Sequence, residues 1–193
     1  MLAKHLTGLF FQPKKSFETA AKEPAKPLEV VVYTVLLALI PTICGYIATV
    51  HIGWNLGAGP LFTIGADQAI YVALAAFVAF NVGVYAMGLG ICWLATTFEV
   101  TPDPMHCIEM ALFTSVPLFL TGFAALYPVL YVDLLVGLLA VAVSVYLLYV
   151  GLPLFMQIPP EKGFVYSTWI VSLGLIMLIV FLGISVFVLS WIT

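Results

Sequence analysis

The chain has 193 residues, 64% of them hydrophobic and 8% charged, with a mean hydropathy of +1.19. A soluble domain carries about a quarter charged residues, so this composition reads as an integral membrane protein with no room for a separate soluble domain. All six basic residues are lysine and the net charge is only -3, which speaks against nucleic-acid partners and against bidentate capture of phosphate or carboxylate by arginine.

Residues 1–27, MLAKHLTGLFFQPKKSFETAAKEPAKP, hold five of the lysines: Lys4, Lys14, Lys15, Lys22 and Lys26. Leu2, Leu6, Leu9 and Phe10 fall on one face of a short helix, which Pro13 is expected to end. Two readings are open for this cytoplasmic amphipathic segment. Either it lies in the membrane interface with Lys4, Lys14 and Lys15 toward anionic lipid, or it packs under the bundle. No small-residue cleavage pattern follows, so it is not read as a signal peptide.

Residues 28–193 then read as an all-α bundle of five spans, at about 28–50, 68–97, 105–126, 129–152 and 164–191. Each is long enough to cross roughly 30 Å of hydrocarbon as a helix. The connections HIGWNLGAGP (51–60), TPDP (101–104) and PPEKG (159–163) are rich in breakers. With five spans, the amino-terminal segment and the loops near 98–104 and 153–163 share one side, and that side carries every lysine, Lys162 included. The positive-inside rule makes it cytoplasmic and puts the carboxyl terminus in the periplasm. No internal repeat is evident, which weighs against an inverted-repeat transporter.

The third span carries the most informative polar residues. Asp103 followed by Pro104 is a strong helix start, and Glu109 then lies roughly 8 Å along the axis, at the edge of the hydrocarbon. A carboxylate there needs a partner, a proton or water. His106, Glu109, Met110, Thr114, Pro117 and Thr121 fall within an arc of about 140°. Such a stripe would line a hydrated path, with Glu109 as a proton or cation site and His106 as its titrating neighbour. Alternatively it is a packing seam, its threonines bonded to their own helix and Glu109 reaching toward Lys162. Asn81, near the middle of the second span, reads as a packing residue or a solute contact. Asp67 and Asp133 read as carboxylates solvated at the outer interface.

The three cysteines, Cys44, Cys92 and Cys107, form no CxxC pair and imply no disulfide framework. The stretch MHCIEM (105–110) nevertheless gathers soft and imidazole ligands. His106, Cys107, Glu109 and Met110, with Cys92 at the same level, would suit Cu(I) or Zn(II) if they converged. The competing reading is that they only line and pack. Ala79 and Gly83 make a small-xxx-small pair, and the glycines of the second, fourth and fifth spans permit close helix approach or a homo-oligomer. Hydrolase, zincin, phosphate-loop and dinucleotide signatures are missing from the sequence, so no enzyme and no cofactor is expected.

Several stretches, LFFQPKKSF (9–17), IPTICGYI (40–47) followed by HIGWN (51–55), ALYP (125–128) and YLLYVGLP (146–153), occur in an order that resembles the Yip family. These are five-span membrane proteins named for interaction with Ypt/Rab GTPases, and the likeness is to their bacterial inner-membrane, YohC-like branch. The resemblance covers nearly the whole chain and implies a five-helix bundle with a cytoplasmic amino terminus. The DLYGP-type signature of eukaryotic members is absent, so Rab binding and vesicle traffic are not implied. The sequence thus supports a non-enzymatic inner-membrane scaffold working through lipids, another copy or other membrane proteins. A channel or transporter for a small ion or lipid along the third span is the alternative, and metal handling through His106, Cys107 and Glu109 a further one.

Overall fold

A computed structural model of the chain describes residues 8–9, 12–54, 61, 63–127 and 129–192, with side chains through residue 184. Leu2, Lys4, Leu6, Phe10, Pro128 and residues 55–60 of the Gly-rich connection lie outside the described residues, as does the Trp191 side chain. The elements are α1 (Pro13–Ala20), α2 (Pro27–Ile47, continued by a π turn Ala48–Ile52) and α3 (Ala66–Ala95, closing in a 3-10 turn Thr96–Phe98). They continue with α4 (Pro104–Leu120, continued by a 3-10 turn Thr121–Leu126), α5 (Leu130–Phe155) and α6 (Pro160–Ile192). Helices α2 to α6 are each long and apolar enough to cross a membrane, so the chain is the all-α five-helix bundle its composition predicts.

Proline sets most of the differences from the expected boundaries. Pro13, Pro27, Pro104 and Pro160 each open a helix, because a missing N–H costs nothing in the first turn. Pro13 begins α1, the helix expected to end before it falling mostly outside the described residues, and Pro160 starts α6 four residues before the expected position 164. Pro153 lies inside α5, which runs on to Phe155. The chain then reverses through Gln157 at φ 55°, with the Ile158 N–H donating to the Pro153 carbonyl at 3.1 Å. Glu99, at φ 60°, closes α3 in the same way, the Val100 N–H donating to the Ala95 carbonyl at 3.1 Å. Both are left-handed helix stops made without glycine.

α4 is the central element. In its most apolar stretch 67% of residues are buried, against 11–28% for the other four spans. Lipid tails are as apolar as leucine, so close packing has to hold such a helix in place. Two glycines allow it. A Cβ on Gly88 of α3 would stand 2.6 Å from the Ile108 Cα, and one on Gly122 would collide with the Pro41 backbone of α2. α4 is thus pressed against α3 near its start, and its 3-10 extension against α2.

α1 packs as a cap on this bundle. Phe17 is fully buried, its ring edge-on to Phe113 of α4 at 5.9 Å and to Phe155 of α5 at 6.5 Å. Gly151 of α5 leaves the space the ring occupies, since a Cβ there would lie 2.5 Å from the Phe17 Cζ. On the other side, the buried Tyr166 hydroxyl of α6 donates to the Ile91 carbonyl of α3, and its ring stacks on Phe98 at 4.7 Å. The described lysines, Lys14, Lys15, Lys22, Lys26 and Lys162, all lie in the elements and turns at one end of the bundle.

Candidate functional site

At the lysine-bearing end, the first turn of α4 is built as its sequence foretells. Asp103 adopts extended backbone and its carboxylate accepts from the Met105 N–H at 3.4 Å, with Pro104 at the first helical position. One turn on, His106 lies between two partners. Its Nε2 is 3.1 Å from the Glu23 carbonyl and its Nδ1 is 3.6 Å from Asp103 Oδ2. A carbonyl can only accept, so Nε2 carries a proton, and the imidazole ties α4 to the strap between α1 and α2. The ring also leans on Phe155 at 5.6 Å.

Glu109 follows on the same face and is only 5% exposed. Its Oε2 has no hydrogen-bond partner among the described residues, and the carboxylates of Glu23 and Glu29 act on it electrostatically. Lys26 approaches Glu29 at 3.3 Å. The expected reach of Glu109 toward Lys162 does not occur. Lys162 pairs instead with Glu99 at 3.5 Å, because α6 starts beside the stop of α3 while Glu109 faces the strap. Further along the stripe Met110 and Pro117 are buried. Thr114 donates to the carbonyls of Met110 at 3.1 Å and Ala111 at 3.0 Å, and Thr121 to that of Leu118 at 2.7 Å. These hydroxyls are used by their own helix, as the packing alternative expects.

The stripe residues therefore do lie along one face; neighbouring side chains enclose Glu109, Met110 and Pro117, while His106, Thr114 and Thr121 are only partly buried. Asn81 belongs elsewhere: it is half-buried on α3 and donates to its own helix at the Phe77 carbonyl, 2.8 Å away. Lys14 and Lys15 are exposed on α1, and Lys4 lies outside the described residues. An open recess of roughly 470 Å³ at the same end is lined by Thr97, Phe98, Glu99, Glu161, Lys162 and Val165, none of which belongs to the stripe.

The metal cluster expected from His106, Cys107, Glu109 and Cys92 does not assemble. Among the described residues no three His, Cys, Asp or Glu side chains are arranged to hold an ion. The reason is helical: residues 106 and 107 point about 100° apart, so His106 and Glu109 face the strap while Cys107 faces α3. There Cys107 is fully buried, while the Cys92 thiol donates to the Pro102 carbonyl at 3.8 Å; both thiols are free. Sequence reasoning passed over Phe17, whose partners lie far along the chain and for which the small residue at Gly151 was the available signal, and it read Tyr166 as an inner-interface anchor where the structure buries it fully.

Comparison with known proteins gives a consistent frame. The family model described as the Yip1 domain matches residues 7–191. The chain is 34% identical over 183 residues to the Inner membrane protein YohC of Escherichia coli strain K12, covering 94% of each chain. The protein of the same name from Escherichia coli O6:H1 strain CFT073 matches with the same figures. No solved structure matches.

Proposed function

The chain belongs to the Yip1-domain family of membrane proteins, and from that premise we propose that it is a non-enzymatic organiser of membrane components in a bacterial inner membrane. The observation that carries this reading is the burial of the α4 stripe at Glu109, Met110 and Pro117. Glu109 is 5% exposed, Met110 is fully buried, and the threonine hydroxyls are turned onto their own backbone. A permeation path needs polar groups facing water, whereas a scaffold allows them to be sealed. The surface of the bundle offers the opposite character. Leu134, Leu135, Leu138 and Leu139 of α5 are 65–69% exposed, an apolar face for lipid or for another membrane helix.

In this reading the lysine-bearing end faces the cytoplasm and the carboxyl terminus the periplasm. Lys14 and Lys15 on the outer side of α1 meet anionic headgroups, while Phe17 on its inner side anchors the helix to the bundle. The partners are lipids, other membrane proteins or a second copy.

The test is flux in proteoliposomes, following protons, monovalent cations and a labelled lipid in parallel, with Glu109→Gln beside the parent. No flux above empty liposomes is the expected result. Flux in the parent that Glu109→Gln abolishes would overturn the scaffold reading and make the unpartnered Oε2 part of a transport path along α4.

A further inference from the structure

We propose that the recess between the lysine-bearing ends of α3 and α6 is a binding site for a membrane phospholipid with a zwitterionic, ethanolamine-type headgroup. Its volume, roughly 470 Å³, falls within the range of about 300–1,000 Å³ common to small-ligand sites. Its wall carries charges of both signs: Glu99 from the stop of α3, and Glu161 and Lys162 from the first turn of α6. Two carboxylates against one ammonium leave the lining with one net negative charge, which disfavours an anionic headgroup and a free phosphate ion alike. A headgroup that carries its own ammonium two carbons from its phosphate matches this lining. The phosphate meets Lys162, a compact point charge, and the ammonium, with three N–H donors, meets Glu99 and Glu161. A quaternary choline has no N–H to donate and fits less well.

The walls are set by the packing beneath them. α3 stops at Glu99 with φ 60°, where glycine would serve without a Cβ penalty. The chain instead keeps a carboxylate there, 86% exposed and 3.5 Å from the Lys162 ammonium. An ion pair this exposed holds weakly, so a headgroup can divide it, phosphate to Lys162 and ammonium to Glu99, without disturbing the bundle. The backbones below are fixed. The Tyr166 hydroxyl of α6 donates to the Ile91 carbonyl of α3, and its ring stacks at 4.7 Å on Phe98, itself part of the wall. Gly163 lets the start of α6 press on α5, since a Cβ there would stand 2.5 Å from the Pro153 Cγ.

The surface one turn deeper marks the occupant as a lipid. Trp93 lies four residues before Thr97 on α3, and Trp169 four residues after Val165 on α6. Each is therefore on the same face as a wall residue and about 6 Å further into the membrane. Both rings are exposed, as tryptophan is at the headgroup level of a bilayer. Leu89 and Ile176, also exposed, continue the two rows toward the midplane. Acyl chains can run along these rows while the headgroup enters the recess. α3 and α6 bury 11% of their most apolar stretches, the least of the five spans, so their outer rows are open to lipid. The site thus gives the organiser proposed above a specific lipid, and its test reads occupancy, so it can fail while the absence of flux stands, and the reverse.

The test is native mass spectrometry of the full-length protein, titrated with phosphatidylethanolamine, phosphatidylcholine and phosphatidylglycerol of one acyl composition. The parent should bind the ethanolamine lipid most tightly. Glu99→Gln combined with Glu161→Gln should weaken that lipid about tenfold, to the level of the choline lipid. Both glutamates are exposed, so these substitutions leave the packing alone. In vesicles, an ethanolamine lipid bearing a diazirine should cross-link to residues 93–99 and 161–169. Equal binding of the three headgroups by the parent would overturn the proposal. So would a preference for phosphatidylglycerol, which would assign lipid capture to the lysines of α1, or cross-linking confined to other helices. Protection of the recess by a lysine-rich peptide and by no lipid would give it to a protein partner and overturn the proposal as well. The parent's headgroup order decides the matter even if the double variant fails to fold.

Discussion

Phe17→Ala should release α1 from the bundle without unfolding the spans. Phe17 is fully buried among Phe113, Phe155 and Gly151, and truncating such a ring typically costs about 3–5 kcal/mol. α1 has eight residues, too few to be stable as a helix alone, so the loss falls on its docking rather than on the bundle. At about 1.4 kcal/mol per factor of ten, the lower figure of about 3 kcal/mol lowers amide protection roughly 100-fold. Hydrogen–deuterium exchange in lipid nanodiscs reads this directly, with residues 13–23 expected to exchange roughly 100-fold faster and α4 unchanged. Gly151→Ala attacks the same contact from the other side, since its Cβ would stand 2.5 Å from the Phe17 Cζ. The double variant should cost less than the sum of the two, because removing the ring opens the space the new methyl needs. Unchanged protection of α1 in Phe17→Ala, or a double variant at least as damaging as the sum, would refute the docking argument.

Gly88→Ala and Gly83→Ala should move thermal stability in detergent in opposite directions. The first drives a methyl into the Ile108 backbone and should cost about 1–3 kcal/mol. The second enters open space and should gain about 0.5–1 kcal/mol by stiffening α3, and a loss there would point to a contact at that face. Gln157→Gly should stabilise by about 1 kcal/mol, because glycine relieves the left-handed backbone at φ 55°. Gln157→Val at the same site should destabilise in the same melt. Glu109→Gln keeps the shape of a buried side chain and removes its charge, so the melting temperature should hold or rise by a few degrees. A clear fall would reveal a cationic partner for the carboxylate.

The spans were legible because length and hydropathy are local, and the Asp103–Pro104 start of α4 because capping is local as well. The composition of the α4 stripe was legible too, since helical spacing alone puts His106, Glu109 and Thr114 on one face. What covers that face was not. Glu23 meets His106 across 83 residues of sequence, and no periodicity encodes such a meeting. The expected Glu109–Lys162 approach failed for a related reason: Lys162 belongs to the first turn of α6, and the stop of α3 at Glu99 reaches it first. The metal reading failed on angle, because adjacency along MHCIEM is divergence on a helix. Pro153 was misplaced because proline marks a boundary without saying which side of it the helix lies on.

The packing of α4 also constrains what the bundle can do. In lipid a helix is not driven inward by the hydrophobic effect, so α4 owes its central place to close packing of backbone against backbone. Gly88 pins its start to α3, and Gly122 pins its 3-10 extension to α2. Sliding or rotating α4 to hydrate Glu109 would have to break at least one of these contacts, both of which are tighter than side-chain packing allows. The four outer spans carry no such restriction on their lipid-facing sides. α3 and α6 each bury only 11% of their most apolar stretch, which leaves the larger part of each to meet lipid or another protein. A fixed centre with adaptable outer faces is the division of labour expected of a scaffold.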